Sequence, residues 1–430
     1  MNKIDYTSTA SIPVTAEYSP QLIKKISAEY GTPTFICWEK IFRASCRRFK
    51  NEFSFPGREV VNSYSYKTNN LKTLCAIADS EGFGAEVVSP SELEMAEQLG
   101  VAGSRIFYNG PFKPETSLQK AVSIGAAIHI DSLVELSTLI SIAEHLNKTA
   151  RIAFRLTPEK GEKYGPVWNK FGLSVAEDEV RQALEVVAAV PGQVHLEGLH
   201  MHLGTNLTDP ALYLNLARVM TEVAVMAKSQ LEYPIQYIDI GGGFSAPSGS
   251  VPMIAHPDEW APISLGEVVS GVTSILDQFD PEQRLTVVSE PGRILAESSM
   301  SLLTRVVSIK QRGPRLHIVL DGGTNILPSA YYTKHPICFP GKEGEGMKGK
   351  ADIHGPLCTQ FDVMASEVDV PKLAPGDFVL INGAGAYTYT FSSQFVGPRP
   401  PVVLVSSQTA TLLVREKEPN DVLWQYDRLT

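Results

Sequence analysis

Residues 60–89 read VVNSYSYKTNNLKTLCAIADSEGFGAEVVS, a strand, a helix and a second strand in one stretch. Val60–Lys67 is short and β-branched, Leu71–Gly82 carries apolar residues at helical spacing and closes on a glycine, and Gly84–Ser89 is apolar again. Working outward, the same alternation continues to Arg293. The strand-like runs are Val60–Lys67, Gly84–Ser89, Arg105–Gly110, Ala126–Asp131, Ala150–Leu156, His195–Gly204, Tyr237–Phe244 and Leu285–Arg293. Helix-like segments lie between them at Leu71–Gly82, Ser91–Gly100, Leu133–Asn147, Ala176–Val190, Asp209–Lys228 and Leu265–Phe279. Ser89-Pro90-Ser91-Glu92 and Thr208-Asp209-Pro210 are helix starts. Eight such units are the number that closes a (β/α)8 barrel, so the spacing predicts an α/β fold of the TIM-barrel class.

Past Arg293 the rhythm changes to strand-like runs without a long amphipathic helix: Ser301–Lys310, Leu316–Asp321, Asp377–Asn382, Val402–Ser407 and Thr411–Arg415. They predict a mostly β second domain, joined by an N-terminal strand around Thr34–Trp38. The expected division is residues 1–38 as an N-terminal segment of the β domain, 39–296 as the barrel and 297–430 as the C-terminal β domain. Gly341–Lys350 is Gly-rich and charged and reads as a mobile loop.

The chain has 430 residues, 43% hydrophobic and 20% charged, with a formal charge of −9. That composition excludes disordered and fibrous classes, and scattered Lys and Arg on an acidic chain argue against nucleic acid or an anionic membrane as partner. Cys37, Cys46, Cys75, Cys338 and Cys358 are widely spaced with no Cys-x-x-Cys, so neither a disulfide framework nor a zinc site is indicated. A reducing, cytoplasmic location is expected, with no export signal and no membrane span.

Barrel chemistry is sought at the C-terminal ends of strands. Lys67 ends the first run, where lost hydration favours the neutral, nucleophilic amine; a solvated loop lysine is the alternative. His200 and His202 share one side of a strand, either to stack on an aromatic ligand or as satisfied core histidines; no metal-ligand spacing accompanies them. Gly241, Gly242 and Gly243 after a buried strand suit a phosphate cradle or a tight turn. Glu290 and Arg293 end the eighth run and need partners, each other or a ligand.

Six elements occur here in a known order: Tyr66-Lys67-Thr68-Asn69, His200-Met201-His202-Leu203-Gly204-Thr205, Gly241-Gly242-Gly243-Phe244, Glu290-Pro291-Gly292-Arg293, Gly355–Asp362 and Gly383–Tyr387. The chain resembles the fold-type III pyridoxal phosphate-dependent decarboxylases, the group of diaminopimelate and ornithine decarboxylases, from about Thr32 to Val405. The resemblance implies pyridoxal 5'-phosphate held as a Schiff base on Lys67 and stacked by His202. Thr205, Gly241, Gly242, Gly243, Arg293 and Tyr387 resemble the phosphate cradle and its surroundings. Arg155 resembles an arginine near the cofactor, and Glu290 the acid on the pyridine nitrogen. Cys358 and Asp362 resemble residues donated across a homodimer, the thiol to protonate the carbanion and the carboxylate to meet the substrate amine. An acid at Glu290 and a Cys-containing loop favour decarboxylation, through an external aldimine and quinonoid, over racemisation. Retention of the whole set argues against a non-catalytic regulatory homologue.

Two positions depart from the diaminopimelate enzymes. Leu327 stands where their arginine meets the distal carboxylate, and Thr359 where their glutamate reads the distal ammonium. With Gly322-Gly323-Thr324 and His335-Pro336, these predict a decarboxylase of conjugated amino acids, siderophore intermediates or carrier-protein-linked substrates, with a decarboxylase of diaminopimelate or another free diamino acid as the alternative. Tyr331, Thr359, Asp362 and Arg293 are expected to contact the substrate, with Asn325–Pro336 lining the distal pocket.

Overall fold

Eight parallel strands close a barrel: Val60–Ser65, Gly84–Val87, Ile106–Tyr108, Ala127–Ile130, Ala150–Thr157, Val194–His200, Tyr237–Asp239 and Thr286–Ser289. Each pairs with the next, and Val287 opposite Val60 completes the ring. The structure is a computed structural model that describes residues 18–158, 170–253, 260–407 and 411–416. Gly84–Val87 and Ala127–Ile130 are buried at every position, because helices cover one face of a parallel strand and the barrel interior the other. Packing there leaves no room for a β-carbon at Gly198, which would lie 2.3 Å from the Tyr237 ring.

The six expected helices form, as Lys72–Ser80, Pro90–Gln98, Leu133–Leu146, Glu179–Ala189, Pro210–Leu231 and Leu265–Phe279. Both start signals work: the Ser89 hydroxyl accepts from the Glu92 N–H at 3.2 Å, and Asp209 accepts from the Ala211 N–H at 2.9 Å. Glu115–Ile124 is a further helix beyond the six expected ones; it starts after Pro114 with no side-chain cap. Pro20–Tyr30 and Glu39–Glu52 are helical as well.

By contacts the chain divides into Cys46–Ser245 with Pro262–Gly292, which is the barrel, and Met1–Ser45 with Ala246–Ala261 and Arg293–Thr430. The second unit is a mostly β body. Thr34–Trp38 lies between Met300–Arg312, antiparallel with Thr34 opposite Leu303, and Val402–Val405, parallel with Phe35 opposite Val402. Leu22, Ile26, Ile36, Trp38, Leu303, Leu380 and Val403 pack its core. Gly349–His354 and Val363–Val370 are two more strands; the second is buried only at Met364 and Val370 and carries Glu367 and Asp369, so it reads poorly as an apolar run. The stretch expected to be a loop gives way to strand at Gly349.

Candidate active site

Lys67 is not in a strand. The first barrel strand ends at Ser65, and Tyr66–Thr68 is a single 3-10 turn that lifts the lysine above the strand end. Its Nζ lies 2.6 and 2.8 Å from the two oxygens of Glu86, whose side chain is fully buried on the second strand. The Ser65 hydroxyl donates to the same carboxylate at 2.6 Å. The dehydration expected of Lys67 is therefore met by an ion pair and its hydrogen bonds.

Glu290 follows the eighth strand and is 3% exposed. Asn109 Nδ2 donates to it at 2.5 Å, His200 Nε2 lies 3.4 Å away and His129 Nδ1 4.0 Å away. Glu290 and Arg293 do not rely on each other, since Arg293 pairs with Glu297 at 2.5 Å one turn on. Burial opposes charge on Glu290, yet the nearby charge of Lys67, first among the opposing influences, outweighs it and holds its carboxyl below the usual range. Asp239 behaves oppositely: burial first, then the charge of Glu290, pushes its carboxyl well up. Burial likewise keeps His129 and His200 neutral, reinforced at His129 by its neighbour His200. The rings of these two histidines are 4.7 Å apart, and one ligand-capable atom from each of His129, His200, Asp239 and Glu290 falls within 4.8 Å of the others. Spacing in sequence offers His200 no such partners; the closed barrel supplies them.

His202 lies beyond the sixth strand, which ends at His200. The Gly242 N–H donates to its Nδ1 at 3.2 Å, so that nitrogen is an unprotonated acceptor, and burial followed by the charge of Lys67 pushes the ring down to about 3. Gly241 and Gly243 adopt φ of +67° and +91°, and a β-carbon on Gly242 would sit 2.3 Å from the Glu290 carbonyl oxygen. The Gly241 N–H donates to Asp239 at 2.8 Å and Tyr213 to the Gly242 carbonyl at 2.8 Å. Arg155, 7% exposed, stands 3.9 Å from Asp131 and 4.2 Å over the Phe171 ring. Thr205 is exposed past the same loop. A cavity of about 280 Å³ is lined by Lys67, Glu86, Asn109, Arg155, His202 and Glu290, among others. Glu86, Asn109, His129 and Asp239 were not singled out from sequence. Each is a polar residue within, or one step past, an apolar strand run, and that is the signal that could have found them.

The other expected residues belong to the second unit. The Arg293 guanidinium lies 5.2 Å over the Tyr387 ring, and Tyr387 takes φ of +54°. Tyr331 is 56% exposed with its hydroxyl 2.9 Å from that of Thr324. Cys358 is exposed and Thr359 half-buried. Asp362 requires a correction: it is 3% exposed, and its oxygens accept from the Thr324 N–H and the Leu357 N–H, each at 2.7 Å, and lie 3.0 Å from the Thr324 hydroxyl. A carboxylate so engaged inside its own unit is a loop clamp, not a group held out to a substrate amine.

The barrel cavity suits a flat anionic aldehyde with a ring nitrogen. It offers the amine of Lys67, the carboxylates of Glu86 and Glu290, and the imidazoles of His200 and His202; behind His202, whose Nδ1 accepts from the Gly242 N–H, lies a glycine loop where no β-carbon fits at Gly242. Along the cavity wall the buried Asn109 Oδ1 and both ring nitrogens of His200 lack hydrogen-bond partners within the protein, as at a site built for a ligand. Pyridoxal phosphate fits that donor set.

Comparisons with known proteins agree. Residues 39–297 match the family described as pyridoxal-dependent decarboxylase, pyridoxal binding domain. The chain is 30% identical over 425 residues to a diaminopimelate decarboxylase of Archaeoglobus fulgidus, covering 95% of each, and 28% identical over 411 residues to that of Aquifex aeolicus, covering 93% of each. The crystal structure of the diaminopimelate decarboxylase of M. jannaschii superposes with a TM-score of 0.86 at 25% identity, covering 94% of each chain. These matches overturn the expectation of a siderophore- or carrier-linked decarboxylase. That expectation rested on Leu327 and Thr359, and Leu327 is fully buried in its own unit, a packing residue and not a lining one. No helix among the described residues is long and apolar enough to cross a membrane. With lysine and acid at one cavity and the match running through the whole barrel, the chain belongs to the pyridoxal-dependent decarboxylases, carboxy-lyases that act on amino acids.

Proposed function

We propose that the protein is a diaminopimelate decarboxylase that removes one α-carboxylate to leave lysine. The observation that carries this reading is the end-to-end similarity to enzymes of that name, 30% identity over 95% of both chains in one case. In this reading Lys67 provides the amine that holds the cofactor's carbonyl carbon and yields it to the substrate amine, with Glu86 taking and returning the proton at Nζ. Glu290 presents a negative oxygen to the ring nitrogen and keeps a proton there. His202 packs against the ring, while Thr205 and Gly241–Gly243 offer hydrogen-bond donors to the phosphate, with Arg155, Arg293 and Tyr387 in its surroundings. Bound pyridoxal phosphate supplies the electron sink for the pair left when CO2 departs.

The Cys358 thiol then delivers a proton to the α-carbon. We infer a homodimer in which this loop serves the neighbouring copy, a reading supported by the exposure of Cys358 and of Phe361, at 66%, in one loop. Tyr331 and Thr359 are assigned to the distal end of the substrate. A cytoplasmic setting belongs to the same reading, in line with five free thiols.

The test is CO2 release and lysine formation from diaminopimelate by the purified, cofactor-loaded protein. Turnover of ornithine, lysine or arginine without diaminopimelate overturns the substrate, and α-deuterium exchange in deuterated water without CO2 overturns decarboxylation for the compound tested.

A further inference from the structure

Asn109 stands one residue past the third barrel strand and is 2% exposed. Its single amide nitrogen donates to Glu290 Oε1 at 2.5 Å and to Glu86 Oε1 at 3.2 Å. Glu86 is the carboxylate on Lys67, and Glu290 is the acid of the cavity floor. One uncharged group thus spans the two carboxylates of the site. An amide suits that place because it brings two hydrogens on one nitrogen and no net charge. A lysine there would neutralise the acids, and an apolar side chain would leave two buried carboxylates facing each other without a shared donor. The orientation of the amide is dictated by the acids alone. Its Oδ1 has no partner within the protein, and turning the group over would aim that oxygen at both of them.

We propose that Asn109 is a positioning residue that couples the lysine end of the cofactor cavity to its acid end, fixing Glu290 and drawing charge away from Glu86 through one shared amide. The inference rests on Lys67 carrying the cofactor and Glu290 facing its ring nitrogen. Without Asn109, the Glu86 charge bears on the Lys67 nitrogen undivided and favours its protonated form. Glu290 at the same time loses its shortest donor and holds the ring nitrogen less well.

The experiment compares wild type, Asn109→Leu and Asn109→Ser as full-length protein. Pyridoxal phosphate is titrated into the apoprotein, the visible band of the lysine-bound cofactor is followed against pH, and the apoprotein is melted. The expected result is cofactor binding weaker by roughly 10- to 100-fold, the loss associated with a hydrogen bond to a charged group. The band's pH midpoint should also rise by about 0.5 unit or more. Asn109→Ser carries the same readings if the leucine variant does not fold. Binding within about twofold of wild type with an unmoved midpoint overturns the proposal, and so does a lowered melting temperature with an unmoved midpoint, the mark of a merely structural role. Failure of the underlying assignment looks different: the band then persists in Lys67→Ala.

Discussion

Asp362→Ala tests how the second unit holds the loop of Cys358. The carboxylate accepts from two backbone N–H groups at 2.7 Å and lies 3.0 Å from one hydroxyl, at 3% exposure, so that residues 323–324 and 355–362 are tied through a single side chain. Hydrogen bonds to a charged group contribute roughly 1.5–3 kcal/mol each, and three on one carboxylate are not additive, so the alanine should cost about 3–5 kcal/mol. At about 2–4 °C per kcal/mol for a unit of this size, the melting temperature should fall by roughly 6–20 °C. Asp362→Asn keeps an acceptor but turns an amide donor toward one N–H, and should cost about 1–3 kcal/mol. Calorimetry of the apoprotein reads both, and absorbance reads the cofactor. Asp362 is not among the residues lining the barrel cavity, so the visible band should persist in both variants while turnover falls. A melting temperature within about 2 °C of wild type for the alanine variant would refute the clamp, and loss of the band at unchanged stability would return Asp362 to a role in binding.

Lys67→Ala should abolish the visible band while leaving the fold intact, measured by absorbance and circular dichroism. Cys358→Ala should lower kcat or misprotonate the product more than it weakens cofactor binding; equal loss of both contradicts proton delivery by the thiol. Gly242→Ala drives a β-carbon to 2.3 Å from the Glu290 backbone oxygen, which cannot swing aside, so it should cost roughly 1–3 kcal/mol and weaken the cofactor in a direct titration. His335 is 8% exposed, its ring nitrogens 2.9 Å from the Ser329 hydroxyl and 3.0 Å from the Asn382 carbonyl oxygen, and burial pushes it down to about 4. A depressed pKa contributes stability that is present above the unfolded value of 6.5 and lost as pH falls through 4. That amounts to roughly 3 kcal/mol, and His335→Gln should flatten the corresponding part of the melting-temperature curve.

Much of the fold was legible because its signals are local. Eight apolar β-branched runs, two capped helix starts and six helical stretches each depend on neighbours within a few residues, and all of them form. Val363–Val370 is hard to read because a half-exposed strand carries charges on its outer positions; Glu115–Ile124 lacks a side-chain cap, but so do the expected helices Lys72–Ser80 and Glu179–Ala189, so the cap does not account for it. Strand ends were overrun by a few residues at Lys67 and His202, where the chain leaves the ladder to present side chains. The candidate site was legible only as a set of motifs. Glu86, Asn109, His129 and Asp239 carry no motif, and each is polar for a reason that lies on another strand.

The sequence by itself therefore determined the barrel, the lysine, the acid and the glycine loop, since periodicity and motif are properties of contiguous residues. Tertiary structure decided the electrostatics. Closing the barrel brings Asn109 between Glu86 and Glu290 from positions 23 and 181 residues away and buries His129 and His200 beside the same acid. Burial makes each charge there depend on its partners. It also bears on two readings that came from resemblance, with Asp362 engaged as a clamp and Leu327 packed in the core of its own unit, because what a side chain does follows from what surrounds it once water is gone.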